Sequence, residues 1–306
     1  MCRVLHVSRS GYYIYAARPR SQRAIDDEVL SKRVATIFDT SDGTYGAPRV
    51  NKELRTEGTF VSRHRVARLM REMRLSASPR KKFVVTTDSK HHHPVAPNVL
   101  NREFTATAPN QKWAGDITYI ATREGWLFLA VFLDLFSRRV IGWAMGPTID
   151  GSLTRRALSM ALWNRQPSGS LIVHSDRGVQ YAAHEFQRML NDWSITPSMS
   201  RRGNCYDNAV VESFFATLKK ERVYREKYAK RRDAESRIFH YIEGFYNPRR
   251  LHSTLAYASP NAYERAWDRD RSVSSTEETP TVVNPSEGMG FSMVGGVPTG
   301  CDIMPI

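Results

Sequence analysis

The apolar positions change their period twice along this chain. Between residues 22 and 75 they recur every three to four places, the spacing of helices with one buried face. Ile25, Val29, Val34 and Ile37 mark one such helix over 22–40. In "GTYGAPRVNKELRTEGTFVSRHRVARLMREMRL", residues 43–75, Pro48 suits a helix start, Val50 and Leu54 stand four apart, and Gly58 closes that helix. Ser62 is a good N-cap for the next helix, which carries Val66, Leu69, Met70 and Met73 inward. Helix, glycine turn, helix is the outline of a helix-turn-helix unit. Residues 76–110 are polar, basic and proline-containing, and read as a linker. From 111 the period shortens. Strands are predicted at 113–121, 125–134 and 138–146, joined by short turns. The second, "GWLFLAVFLD", is apolar throughout, as a central strand covered on both faces would be. A helix at 151–164, a short buried strand at 171–176, a helix around 182–193 and a last helix over 204–221 follow. Three meander strands, then alternating helix and strand, predict a mixed α/β sheet with helices on its faces.

Composition narrows the class. Of 306 residues, 41% are hydrophobic, enough for a packed core. The longest apolar run, "WLFLAVFL" at 126–133, has the length of a strand and not of a membrane span. "MCRVLHVSRSGYYIY" lacks the apolar core of a signal peptide, and Cys2, Cys205 and Cys301 form no CxxC pair. The expectation is a cytoplasmic protein without disulfides, zinc knuckle or membrane contact. The net charge is +14, and it is unevenly spread: +10 over 1–110, +8 over 111–267 and −4 over 268–306. A positive excess through both patterned parts points to a polyanion. Arg63, His64, Arg65, Arg68, Arg71 and Arg74 on the second helix of the pair are candidates for phosphates and groove edges. The run His91–His93 is a weak metal motif, because three adjacent side chains do not converge on one ion from a regular element.

The candidate chemistry lies in the second half. In "NCYDNAVVESFFATLKKE", residues 204–221, Val211, Phe214, Phe215 and Leu218 form the burying stripe. Asn208, Glu212 and Lys219 form a second file within roughly 40° of each other at 100° per residue. Taken alone, this is an amphipathic helix with an acid paired to a lysine. However, Asp116 sits inside an apolar strand, and Asp176 sits where the buried fourth strand ends. Three carboxylates at one sheet edge repel one another and lose hydration, which divalent cations would relieve. Oxygen ligands suit Mg²⁺ or Mn²⁺, and a pair of such ions is the arrangement for in-line phosphoryl transfer. Asp134, at the end of the second strand, is expected to be a turn residue held by Ser137 or Arg138. Asp207 is expected to cap the last helix.

"WAGDITYI…HSDRGVQY…DNAVVESF" resembles the DDE core of bacterial insertion-sequence transposases, in the superfamily of retroviral integrases. Thirty-five residues separate Asp176 from Glu212, the family's spacing, and Lys219 matches its basic residue on the same helix. "FYNPRRLHSTLAYASPNAY" resembles the segment after the core, and "YGAPRV…VSRHRVARLM" the helix-turn-helix half encoded with it. The resemblance implies an RNase H-like integrase core behind a small all-α helix-turn-helix domain. It implies Asp116, Asp176 and Glu212 as catalytic residues and ligands of two Mg²⁺ or Mn²⁺ ions. Lys219, Arg63, Arg65, Arg68 and Arg71 would bind DNA, with Asn208 in support. The expected division is a lead segment 1–20, helix-turn-helix 21–78, basic linker 79–107, catalytic core 108–267 and disordered tail 268–306. The implied activity is metal-dependent cleavage at element ends and strand transfer into target DNA, near the nucleoid. Self-association on DNA and an upstream-frame fusion partner are implied as well. Two other readings stay open on the residues: a hydrolytic nuclease of the same fold, and a catalytically inactive DNA-binding regulator or remnant.

Overall fold

The computed structural model of the chain describes residues 2–77, 95–201 and 205–277. The histidine run, most of the basic linker and the tail beyond 277 lie outside these residues. Contacts divide the chain into Met1–Trp267 and Asp268–Ile306.

Four helices come first: α1 (Arg9–Ala16), α2 (Gln22–Thr40), α3 (Ala47–Thr56) and α4 (Arg63–Glu72). α1 lies in the lead segment, for which the sequence suggested no element. It starts at Ser8, whose hydroxyl accepts from the Gly11 amide at 3.0 Å, and it buries no residue. α2 to α4 share a core of Leu30, Val34, Ile37, Tyr45, Val50, Leu54, Val66, Leu69 and Met70. Ile25 and Val29, expected on the inner face of α2, are exposed. The buried stripe is the i, i+4, i+7 set that begins at Leu30, and the two earlier residues lie off it. Gly58, at φ +82°, turns the chain after α3 in the left-handed conformation that glycine adopts without strain. Ser62 Oγ then accepts from the Arg65 amide at 3.2 Å and opens α4 as expected.

The second half is a five-stranded sheet of β1 (Lys112–Thr122), β2 (Gly125–Asp134), β3 (Val140–Gly146), β4 (Ile172–Ser175) and β5 (Thr196–Met199). The order is β3-β2-β1-β4-β5. β1 to β3 are antiparallel, β4 runs parallel to β1, and β5 runs parallel to β4. This is the RNase H-like arrangement. β5 was not foreseen: "TPSM" is four residues long, contains Pro197 and has no alternation. One face carries α5 (Gly151–Arg165), α6 (Val179–Ala182) and α7 (His184–Asp192). The other carries α8 (Ala209–Glu221) and α9 (Arg231–Phe239). The uniformly apolar β2 is explained by these two layers. Leu127, Leu129, Val131 and Leu133 pack under α8 and α9, while Phe128, Ala130 and Phe132 pack under α5 to α7. Each buried phenylalanine or leucine contributes about 1.5–3 kcal/mol. Gly142 lets α5 lie directly on β3, since a Cβ there would stand 2.3 Å from the Ala157 carbonyl oxygen.

A π-type turn over His240–Tyr246 continues α9, and α10 (Pro260–Glu277) ends the described chain. Helix therefore extends ten residues beyond the point where the sequence suggested order would end. Within the first unit, Asn247 pairs its amide with both Val140 N (3.0 Å) and Val140 O (2.9 Å), covering part of edge strand β3. Asp134 is a buried ion-pair member as well as a turn residue. Its carboxylate accepts from Asn110 N and Phe136 N, both at 2.8 Å, and from the Arg165 guanidinium at 3.0 Å. Its side-chain partner is thus Arg165, and Ser137 instead donates to Glu264 at 2.7 Å.

Candidate active site

β4 pairs with β1 only over Lys112–Ala114, where Ala114 stands opposite His174. Carried two residues further, that register sets Asp176 level with Asp116. β4 has ended by then, which leaves the edge of β1 open beyond Ala114. Into this gap comes the first turn of α8, with Glu212. Asn208, just before the helix, donates through Nδ2 to the Gly115 carbonyl at 3.2 Å. That bond fastens the start of α8 to the residue preceding Asp116.

Each carboxylate has a local hold. Asp116 Oδ1 accepts from the Ile117 amide at 2.7 Å, and Asp176 Oδ1 from the Gly178 amide at 2.9 Å. A Cβ at Gly178 would sit 2.9 Å from that same Asp176 oxygen, so glycine keeps the space beside the carboxylate clear. The turn that carries Asp176 is braced by β5. The buried His174 ring lies between Ser198 Oγ (2.9 Å) and Ser200 Oγ (3.1 Å), and Arg177 Nε donates to Ser200 O at 2.7 Å. Burial holds His174 neutral, with its pKa lowered to about 4.

The three acids feel one another. Burial, then the charge of Asp176 and more weakly that of Glu212, pushes Asp116 well above the usual carboxylate range. Glu212 is raised by burial and by Asp176. The buried Tyr181 hydroxyl is raised by burial and by the charges of Asp116 and Asp176. Among the described residues, Tyr181 Oη and Asn208 Oδ1 are buried without hydrogen-bond partners. Also among the described residues, no three acidic, histidine or cysteine side chains are already drawn together in ion-holding geometry. The donor set is nonetheless right in kind for a hard divalent cation: three carboxylates, no nitrogen or sulfur, and a mutual repulsion that outweighs the opposing charge of Lys219 at Asp116. The gathering is open, and side-chain rotation would have to close it.

Lys219, two turns along α8, is half-buried with Nζ 4.7 Å from the centre of the Tyr119 ring. Burial lowers its pKa, while Asp116 favours its charged form. The site thus collects Asp116, Asp176, Glu212, Asn208 and Lys219 around the open edge of β1. The α4 arginines form a separate group. Arg65 Nε and Arg68 Nη2 both bond Asp27, at 2.7 and 2.5 Å, and Arg68 also bonds Glu72 at 2.7 Å. Arg63, Arg71 and Arg74 are exposed.

Asp207 is not the helix cap that the sequence suggested. It is wholly buried and accepts from Asn98 Nδ2 (3.0 Å), Arg102 Nε (2.8 Å), and Arg201 N, Nε and Nη2 (2.9, 3.0 and 2.9 Å). These bonds hold its pKa far below the carboxylate range and tie two stretches of chain, 98–102 and Arg201, to the root of α8. Sequence reasoning missed this hub because Arg102 lies 105 positions away.

The Integrase core domain family matches residues 106–205 and again 193–260, and an HTH-like domain family matches 24–83. The insertion element IS600 uncharacterized 31 kDa protein of Shigella sonnei is 45% identical over 267 residues, covering 87% of this chain and 98% of that protein. Transposase InsF for insertion sequence IS3A of Escherichia coli K12 is 44% identical over 266 residues, covering 86% and 92%. Among solved structures, the HTLV-2 integrase catalytic core domain in complex with magnesium matches loosely, at 18% identity and TM-score 0.40, over 52% of this chain and 98% of that one.

Proposed function

The chain belongs to the insertion-sequence transposases with an integrase core domain, and from that premise we propose that Asp116, Asp176 and Glu212 are the catalytic carboxylates with which it cuts and joins DNA. The observation that supports this assignment is the meeting of three mutually repelling acids, from β1, the end of β4 and α8, at an open strand edge. The three carboxylates would hold Mg²⁺ or Mn²⁺, two ions in the full site. Bound there, the metal would neutralise phosphate charge, activate the attacking oxygen and stabilise the leaving one.

The protein's own part is positioning. One oxygen each of Asp116 and Asp176 is held by a backbone amide. Glu212 is carried on a helix whose root is bolted to β1 by Asn208. Lys219 offers a cation to a phosphate beside the scissile one. No protein nucleophile is required, since water attacks first and a DNA 3′-hydroxyl attacks second. An element has two ends, so the working form on DNA is expected to hold more than one copy of the chain.

The test is strand transfer on duplexes carrying element ends, with Mg²⁺. The wild type should give joined product, and Asp116→Asn should give none above background. A fully active Asp116→Asn protein would overturn the assignment. Cleavage without joining would instead indicate a hydrolytic nuclease. A readout independent of activity is thermal stabilisation by Mn²⁺, which should be present in the wild type and weakened in Glu212→Gln.

A further inference from the structure

The open edge of β1 leads away from the carboxylates to a second feature. Beyond Asp116, β1 carries Tyr119, and across the hairpin Trp126 is the second residue of β2. Trp126 pairs with Ala121, so the two rings sit diagonally on one face, 5.0 Å apart and edge to face (86°). That is the face which, further along β2, packs Phe128, Ala130 and Phe132 against α5 to α7. At the hairpin end this cover stops, and Trp126 is 51% exposed. A large aromatic so placed is normally a loose surface residue. This one is held: Tyr119 abuts its ring, and Arg231 Nε donates to its carbonyl at 3.0 Å. On the side toward the carboxylates, Lys219 Nζ lies over the Tyr119 ring. The sequence Lys219, Tyr119, Trp126 is therefore a cation followed by two aromatics, continuous with the active site.

The turn and the opposite face of the hairpin are basic. Arg123 is exposed at the hairpin turn, its backbone amide bonded to Tyr228 O at 3.1 Å, which brings the segment before α9 alongside. That segment and the first turn of α9 present Lys227, Lys230 and Arg232, all exposed, beside the half-buried Arg231. Glu124, Glu226 and Asp233 oppose them without cancelling them. Glu124 accepts from the Arg231 amide, and Glu226 pairs with Arg222 and Arg237. Rings with an exposed face beside Lys219, with Arg123 at the turn and the α9 cations on the other face of the hairpin, match one ligand chemistry, an unstacked nucleobase whose phosphates run past the basic groups. A paired base in a duplex keeps its faces covered by its neighbours and cannot use such a shelf.

We infer that Trp126, backed by Tyr119, is a stacking platform for an unpaired nucleobase of the DNA strand that enters the carboxylate site, with Lys219 on the phosphate between them. This rests on the reading of the site as a DNA-joining centre. It names the form of DNA that the site selects, a strand opened or overhanging next to the scissile phosphate.

The test compares two probes with the full-length protein in EDTA, where no cleavage occurs. One is a blunt duplex. The other is the same duplex with a short single-stranded extension carrying 2-aminopurine. The wild type should bind the extended probe more tightly and change its fluorescence. Trp126→Ala should weaken the extended probe by about fivefold or more and leave the blunt one within twofold. Trp126→Phe, which keeps a ring, should retain most of the preference and the fluorescence change. Equal losses on both probes, or no loss on the extended one, would overturn the platform. A general folding defect is distinguished by Trp126→Phe, which must then fail on both probes, and that failure also counts against the inference. The underlying reading is judged separately by Asp176→Asn, which should bind both probes yet join nothing in Mg²⁺. Joining by that variant would sink the carboxylate assignment whatever Trp126 does.

Discussion

Asp207, just before α8, and Asp116, on β1, are both sheltered acids, and their surroundings treat them in opposite ways. Asp207 is met by donors from Asn98, Arg102 and Arg201, so its charge is stabilised. Asp116 is met by burial and by other acids, so its charge is penalised. The first arrangement adds stability, and the second stores repulsion for a ligand to relieve. In metal-free buffer, Asp207→Asn should therefore destabilise the protein by about 2–3 kcal/mol, because charge-assisted bonds are lost while the two arginines, both partly exposed, can rehydrate. Asp116→Asn should be neutral or stabilising under the same conditions. Urea midpoints in EDTA measure both, and a strongly destabilised Asp116→Asn would show that this acid holds the fold. The pH dependence follows from the sign of the Asp207 shift. Its folded pKa lies below the unfolded value of about 3.9, so its contribution is complete above that pH and is lost as pH falls below it. The Asp207→Asn and wild-type stabilities should converge in acid.

Among the elements, α8 was the most legible, because its inward residues Val211, Phe214, Phe215 and Leu218 follow one helical stripe. Asp116 and Asp176 were legible because each interrupts or ends an apolar strand. What could not be read was anything set by partners distant in sequence. β5 exists because β4 offers it an edge, not because "TPSM" favours a strand. The hub at Asp207 and the diversion of Arg65 and Arg68 to Asp27 depend on contacts 38 to 109 positions apart. The diversion changes an expectation about DNA binding. On sequence alone Arg63, Arg65, Arg68 and Arg71 are equivalent phosphate ligands. In the structure two of them are already engaged, and their pairing lowers the Asp27 pKa, through Arg65 first and Arg68 second. Arg63→Ala and Arg71→Ala should each reduce the salt slope of DNA binding by about one unit. Arg65→Ala and Arg68→Ala should change the slope less and lower the melting temperature more. Equal slopes for all four variants would mean that the Asp27 pairing opens on DNA.

At the scale of the molecule, the helical half is packed on the catalytic half within Met1–Trp267, although the sequence reads as two domains joined by a linker. Tyr45 does much of this. Its hydroxyl donates to Arg249 O at 3.1 Å and accepts from Leu251 N at 2.9 Å, and its ring lies 6.2 Å from that of Phe245. Arg49, on α3, donates to Leu251 O at 3.0 Å and approaches Glu221, the last residue of α8, at 3.9 Å. Glu221 is itself gripped by Arg250 at 2.8 and 2.7 Å and by the Tyr241 hydroxyl at 2.7 Å. The helix that bears Glu212 is thus anchored at its root to β1 and at its end to the helical half. DNA held on α4 would be held in the same frame as the carboxylates. Such packing predicts one calorimetric transition for the wild type. Tyr45→Phe leaves the Leu251 amide and the Arg249 carbonyl without this partner, and should lower stability by about 1–3 kcal/mol while keeping a single transition. Tyr45→Ala also removes the ring and should let the helical half melt first, as a separate low-temperature transition. Strand transfer should then fall more steeply than the binding of short duplexes, because binding and chemistry would no longer share one frame. Two transitions already present in the wild type would refute the coupling and restore the picture of independent domains.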